Sequence, residues 1–232
     1  MSTIDGGPGN IVTNGLVLYL DAANVRSYPT NGTTWTDLSG NGNNGTLTNG
    51  PTFNSSNGGS IVFDGVDDFV LCPKQNTLVN TTRFTIGAWM KRNLSNSLVI
   101  VSQVESLSND VSFELWSDGN VYFEVGTGTN SYGYRTNTST NWQYLMMVFD
   151  GSLVGNSNRL KGYINGVEQT LVFNGSIPST TGTVNTTLNI GSYPPNNNYS
   201  NGNVSQVLLY NRALTAQEVS QNFNATRARF GI

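Results

Sequence analysis

Apolar side chains alternate with a period of two through most of this chain, in short runs that recur about every ten residues, with turn-forming Asn, Gly and Asp between them. Residues 84–91 (FTIGAWMK) set Phe84, Ile86, Ala88 and Met90 against Thr85, Gly87, Trp89 and Lys91. Residues 15–21 (GLVLYLD) set Leu16, Leu18 and Leu20 against Val17 and Tyr19. In the first of these one face is wholly apolar; in the second, and in residues 142–150 (WQYLMMVFD), both faces are. A strand apolar on both faces must be covered on both sides, which confines such a chain to layered or closed β architectures. Further strands are predicted over 60–72, 98–104, 112–125, 160–172 (a hairpin around Asn165-Gly166), 188–192 and 204–210. Residues 22–57 read as a long loop region pinned by Trp35 and Leu38.

One stretch breaks the rhythm. After the strand at 204–210, with Val207 and Leu209 on one face and Gln206, Leu208 and Tyr210 on the other, comes LTAQEVSQNF. Thr215 and Glu218 have the spacing of a capping box, Leu214 and Val219 that of a hydrophobic staple, and Val219 and Phe223 form a short apolar stripe. The expectation is one amphipathic helix lying over an end of a sandwich whose first and last strands are neighbours.

With 232 residues and a single cysteine, Cys72, the chain can bury a core without bridges or metal, and is read as one domain over 15–232 preceded by a polar arm, 1–14. The arm lacks the basic start and apolar centre of a signal peptide. Only 11% of residues are charged, the net charge is −3, and there is no Lys/Arg run, so nothing offers the phosphate neutralisation that nucleic-acid binding needs. No stretch is long and apolar enough for a membrane helix. The absence of histidine removes the usual general base and the Ser-His-Asp arrangement.

Two sets of side chains could carry function. In the 112–125 hairpin, a three-residue Asp118-Gly119-Asn120 loop would put Leu115 opposite Phe123 and Trp116 opposite Tyr122. Glu114, Trp116, Tyr122 and Glu124 then share one face, a constellation suited to sugar stacking or to a cation, or else a solvated sheet face. Tyr132 and Tyr134, read as loop residues, could extend an aromatic platform, as could Tyr193 and Tyr199. The second set is Asp64, Asp67 and Asp68 on a turn with Gly65, with Asp21 a further ligand: hard oxygen donors of the kind calcium takes. No strand is read as placing several carboxylates at alternate positions, the pattern a glycosidase of such a fold would use.

Six stretches, FDGVDDFV (63–70), FTIGAWMKR (84–92), NWQYLMMVFDGS (141–152), LKGYINGV (160–167), LNIGS (188–192) and VLLYNRALTAQEV (207–219), resemble in this order the laminin G-like domains of the concanavalin A-like lectin/glucanase fold. The resemblance implies a jelly-roll β-sandwich of two antiparallel sheets. Such domains often carry acidic residues just before the final V-x-x-Y strand; Ser205 and Gln206 stand there instead, which argues against calcium at that place. The opening stretch, 15–51, also resembles virion structural proteins of tailed bacteriophages. The expectation is a non-enzymatic virion component, a decoration, head-fibre or tail-fibre protein that docks on other virion proteins through its arm and is a homo-oligomer or part of a larger assembly. The alternatives are a calcium-assisted carbohydrate-binding module for cell-surface glycans and, more remotely, a glycoside hydrolase.

Overall fold

Strands apolar on both faces find their cover here in two stacked sheets and one helix. The computed structural model describes residues 10–93, 97–106, 109–115, 118–128 and 131–232. In chain order the first strands are β1 (Leu16–Asp21), β2 (Thr34–Trp35), β3 (Gly45–Thr48), β4 (Thr52–Asn54), β5 (Ser60–Asp64) and β6 (Phe69–Cys72). Next come β7 (Arg83–Arg92), β8 (Leu98–Ser106), β9 (Asn109–Leu115), β10 (Asn120–Val125), β11 (Tyr132–Thr136) and β12 (Gln143–Asp150). The last are β13 (Leu160–Ile164), β14 (Val167–Gln169), β15 (Val172–Asn174), β16 (Leu188–Ile190), β17 (Ser192–Tyr193), β18 (Asn198–Tyr199) and β19 (Asn201–Tyr210). A one-turn helix, α1 (Asn156–Arg159), precedes β13, and α2 (Ala216–Thr226) follows β19.

Eight strands form one sheet in the order β14-β13-β12-β7-β19-β5-β4, with β1 also paired to β19; nine form the other, β15-β11-β10-β9-β8-β16-β6-β3-β2. The expected all-β sandwich is therefore observed. Its core lies between the sheets, where Leu18, Leu20, Phe84, Ile86, Leu145, Met147, Val207 and Leu209 meet Val70, Ile100, Val121, Phe123 and Ile190. Cys72 faces this core, where burial pushes its thiol up to about 12. The sheets approach so closely at Gly162 that a Cβ there would lie 2.4 Å from the Phe123 ring.

The alternation in β7 and β12 is as expected, and in β19 it holds from Val207 to Tyr210, after a bulge between Val204 and Gln206 that turns Val204 to the core as well. The first strand departs from it: a bulge between Leu16 and Leu18 sends Leu16 to the outer face, while Val17 packs on the core. The region 22–57 holds three short strands, and its glycine- and asparagine-rich part is ordered by a polar node. The Asp37 carboxylate accepts from the backbone N–H groups of Tyr19, Ser39 and Asn43 and from the Ser39 hydroxyl.

The helix has the expected capping box between Thr215 and Glu218, and Leu214 and Val219 pack together in one cluster. Its position differs from the expectation: α2 covers the outer face of the eight-stranded sheet, where Trp89, Tyr144, Met146, Leu208 and Tyr210 supply a second apolar layer. Phe223 stacks on Trp89 at 5.8 Å, and Trp89 Nε1 donates to Thr226 Oγ1 at 2.6 Å. Phe223 also lies against Gly166 of the Asn165-Gly166 hairpin turn, where both residues have positive φ, as a type I′ turn requires. Residues 10–14, read from sequence as the end of an arm, lie along this layer: Val12 is buried, its N–H donates to Asn222 Oδ1, and its carbonyl accepts from the Tyr210 hydroxyl. Beyond the helix, Arg229 returns to the first strand and grips Asp21 with two hydrogen bonds of 2.7 Å.

Candidate functional site

The outer face of the nine-stranded sheet is built from residues that alternate with the core positions of β8 to β11. Register sets Tyr122 opposite Glu114 on one side and Tyr134 on the other; in the next row Glu124 lies between Ser112 and Tyr132. The loop is thus longer than expected. Val121, not Phe123, pairs with Leu115, a two-residue slip that preserves the faces because the side-chain period is two. Tyr132 and Tyr134 sit on a strand, not in a loop.

Three of the predicted aromatics come together. Tyr122 and Tyr134 stack at 5.5 Å, Tyr132 meets Tyr122 edge-on at 5.3 Å, and all three are half-buried. The Tyr122 hydroxyl donates to Asp118 Oδ2 at 2.6 Å; burial and that bond push its pKa up to about 12. Trp116, predicted beside them, lies outside the described residues.

The carboxylates are not the solvated pair that one sequence reading allowed. Glu114 is 1% exposed, and so is Asp110, which lies four residues back on the same strand face. Asp110 and Glu124 hydrogen-bond each other, and the Asp110 carboxyl rises to about 9, through burial first and then the charge and hydrogen bond of Glu124. Burial raises Glu124 as well. Two buried carboxyls in contact hold one proton between them at neutral pH. The Tyr193 hydroxyl donates to Asp110 Oδ2 at 3.1 Å and the Ser112 hydroxyl to Glu124 Oε2 at 3.0 Å.

Tyr193 arrives from the β17–β18 ribbon, which lies over β8: Ser102 Oγ donates to the Ser192 carbonyl, and Val99, Val104 and Tyr193 form a small apolar cluster. The ribbon is one rim, the tyrosines are the other, and the acids are the floor. Three strand spacings separate β8 from β11, about 14 Å. Tyr199 is elsewhere, against Phe69. Asp110 and Tyr193 were not singled out from the sequence as part of an acidic site, although Asp110, Ser112 and Glu114 are a D-x-S-x-E alternation. Starting the predicted strand at Ser112 concealed it: one strand carries two carboxylates, Asp110 and Glu114, on a single face with Ser112 between them.

The second predicted set divides. Asp64, Asp67 and Asp68 each bring a carboxylate oxygen within 4.8 Å of the others. Asp64 Oδ1 accepts from the Val66 N–H and Asp68 Oδ2 from the Asp64 N–H, which leaves each carboxylate a further oxygen. Burial raises the Asp68 pKa, with the charges of Asp64 and Asp67 adding to it. The donor set fits a hard cation. Asp21 does not belong to it: Asp21 pairs with Gln206 and Asp64 with Asn201, five residues apart on β19, which is about 17 Å. Its carboxylate is taken up by Arg229, Tyr19 and the Ala23 N–H. The Ser205 hydroxyl, near the place where related domains carry an acid, donates to the Gly59 carbonyl.

Solved structures share this architecture. The binding domain of botulinum neurotoxin DC in complex with rat synaptotagmin II aligns with a TM-score of 0.69 and 17% identity over 93% of this chain and 52% of that one. The same domain in complex with SialylT gives 0.65 and 16%, over 92% and 52%. The sialidase of Trypanosoma rangeli with the inhibitor DANA gives 0.61 and 17%, over 93% and 33%. The chain therefore spans a third to a half of these proteins, and at such identities the likeness is one of fold. No curated protein matches the sequence. A family model described as Concanavalin A-like lectin/glucanases superfamily matches residues 63–220, the span that holds both the tyrosine-lined face and the aspartate turn, and the chain belongs to that Laminin_G_3 family.

Proposed function

We propose that this protein is a non-catalytic carbohydrate-binding module that takes a neutral, hydroxyl-rich glycan on the outer face of the nine-stranded sheet. The observation that carries this reading is the row of Tyr122, Tyr132 and Tyr134 beside the half-buried Glu124: aromatic faces for the apolar side of a pyranose, and a carboxylate to accept from its hydroxyls. A binding role fits better than hydrolysis because Asp110 and Glu114 are each 1% exposed, so neither can reach a scissile bond at the surface. Glycans and proteins appear as partners of the toxin binding domains that share the fold, which supports a recognition role. Calcium on Asp64, Asp67 and Asp68 is part of the proposal, as a brace for the loop between β5 and β6.

The likeness of residues 15–51 to tailed-phage virion proteins supports display of this module on a virion, as a decoration or fibre component in an oligomeric assembly with other virion proteins. A glycan array, run with and without chelator and repeated with Tyr134→Ala, tests the binding reading. Binding of neutral glycans that weakens at least tenfold in the variant supports it, the loss expected for one stacking ring and its share of the platform. Silence across the array, or equal binding by the variant, refutes it.

A further inference from the structure

The opposite side of the sandwich carries a different chemistry. Beyond the end of α2, on the outer face of the eight-stranded sheet, two hollows of about 340 and 410 Å³ flank the half-buried indole of Trp142, and Lys91 lines both. Trp142 is fixed there, with Nε1 donating to Asn57 Oδ1 at 3.0 Å and its ring against Phe230 at 4.8 Å. Lys91 stands on β7 directly opposite Asn203 of β19, which in turn pairs with Val62 of β5. Among the described residues the Lys91 ammonium has no hydrogen-bond or ion-pair partner, whereas Arg83, Lys161, Arg212 and Arg229 each hold a carboxylate.

Among the described residues the smaller hollow has no acidic side chain on its wall; around Lys91 it has Asn54, Ser56, Asn57, Asn93 and Asn203. Several of their polar atoms are already committed: Asn203 Nδ2 donates to Ser60 Oγ, Asn93 Nδ2 to Asn201 Oδ1, and Asn54 Oδ1 accepts from the Ser56 N–H. What remains to face a ligand is the ammonium, the Asn54 amide N–H groups, the Ser56 hydroxyl and the carbonyl oxygens of Asn93 and Asn203. A cation among neutral amides, beside an indole edge and without a competing carboxylate, suits a group that is both anionic and rich in hydroxyls.

We infer that this hollow is a second saccharide site, selective for a carboxylate-bearing pyranose, in which Lys91 takes the carboxylate, the amides take ring hydroxyls and Trp142 forms the wall. It differs from the tyrosine-lined site in position and in charge preference, since that site has an acidic floor.

The test is a titration of the full chain with glucuronic acid and, separately, with methyl glucoside, followed by the amide and indole NMR signals of Asn93, Asn203 and Trp142. Lys91→Gln is the variant, chosen because among the described residues that side chain makes no hydrogen bond or ion pair and glutamine keeps most of its length. Glucuronic acid should shift these signals and bind at least tenfold more tightly than the neutral sugar, and Lys91→Gln should remove that preference, as expected for one charge-assisted contact. Equal affinities for the two sugars, no shift with either, or a Lys91→Gln titration that matches the unaltered protein overturns the inference. Repeating the neutral-sugar titration with Tyr134→Ala reads the tyrosine-lined site separately, so either site can fail without the other.

Discussion

Replacing Asp110 with asparagine should make this protein more stable at alkaline pH. The Asp110 carboxyl rises from 3.8 to about 9 on folding, because it is buried and shares its proton with Glu124. A carboxyl raised in this way contributes its full stability below its unfolded value and loses it progressively as pH climbs toward the folded value. Between pH 5 and 8 the unfolded chain releases this proton and the folded chain keeps it, which costs at most about 1.4 kcal/mol per pH unit. Three units give about 4 kcal/mol, since the folded pair keeps one proton that the unfolded chain has released. The asparagine in Asp110→Asn would keep both bonds, its amide N–H donating to Glu124 and its oxygen accepting from Tyr193, with no proton to lose. For a chain of this length about 4 kcal/mol moves the melting temperature by about 8–16 °C. Thermal melts of both proteins at pH 5 and pH 8 make the comparison. The unaltered protein should lose about that much more between the two conditions than Asp110→Asn does; parallel losses in the two proteins would refute a shared, buried proton.

Phe223→Ala removes the ring stacked on Trp89 and packed on Gly166 and should cost about 3 kcal/mol, read by denaturant unfolding, while leaving sugar binding intact; unchanged unfolding would mean that α2 does not hold the outer layer. Arg229→Met strips a buried carboxylate of its main partner and should cost about 2–4 kcal/mol, most of which Arg229→Met combined with Asp21→Asn should restore; a double variant as weak as the single one would contradict the pairing. If Asp64, Asp67 and Asp68 hold calcium, adding it at a hundred times its dissociation constant should stabilise the protein by about 2.7 kcal/mol, and Asp68→Asn should abolish the gain; a melting temperature indifferent to calcium and chelator would dismiss the ion.

The framework was legible because a sandwich writes its two layers into alternate residues. Val207 and Leu209 against Leu208 and Tyr210 gave the two faces of β19, and T-x-x-E gave the start of α2. What escaped was set by contacts distant in sequence. The bulge at Leu16 depends on how β1 meets β19, and the seat of α2 depends on Trp89 and Tyr144, which belong to other strands. At the tyrosine-lined site the residue types and the face were readable, but the burial of its acids was not: Asp110 becomes a floor residue only because Tyr193, eighty-three positions on, closes over it. In the glycine- and asparagine-rich loop, local turn chemistry was visible, whereas the node at Asp37 needed Tyr19 and Asn43 in the same place.

The position of β19 has a consequence for the order in which the protein can be completed. It is not an edge: β7 runs along one of its sides, β5 and β1 along the other, so among the described residues it alone joins them. A nascent chain that has reached residue 200 holds half a sheet ending at β7, while β1 and the β5 pair have no neighbour on that side. Both borders then expose backbone donors and acceptors to any other chain. Ribosome-bound chains halted before residue 201 should therefore be captured by chaperones and cut by proteases throughout the eight-stranded sheet. Protection should appear abruptly once β19 has emerged, with the Arg229 grip on Asp21 as the last step.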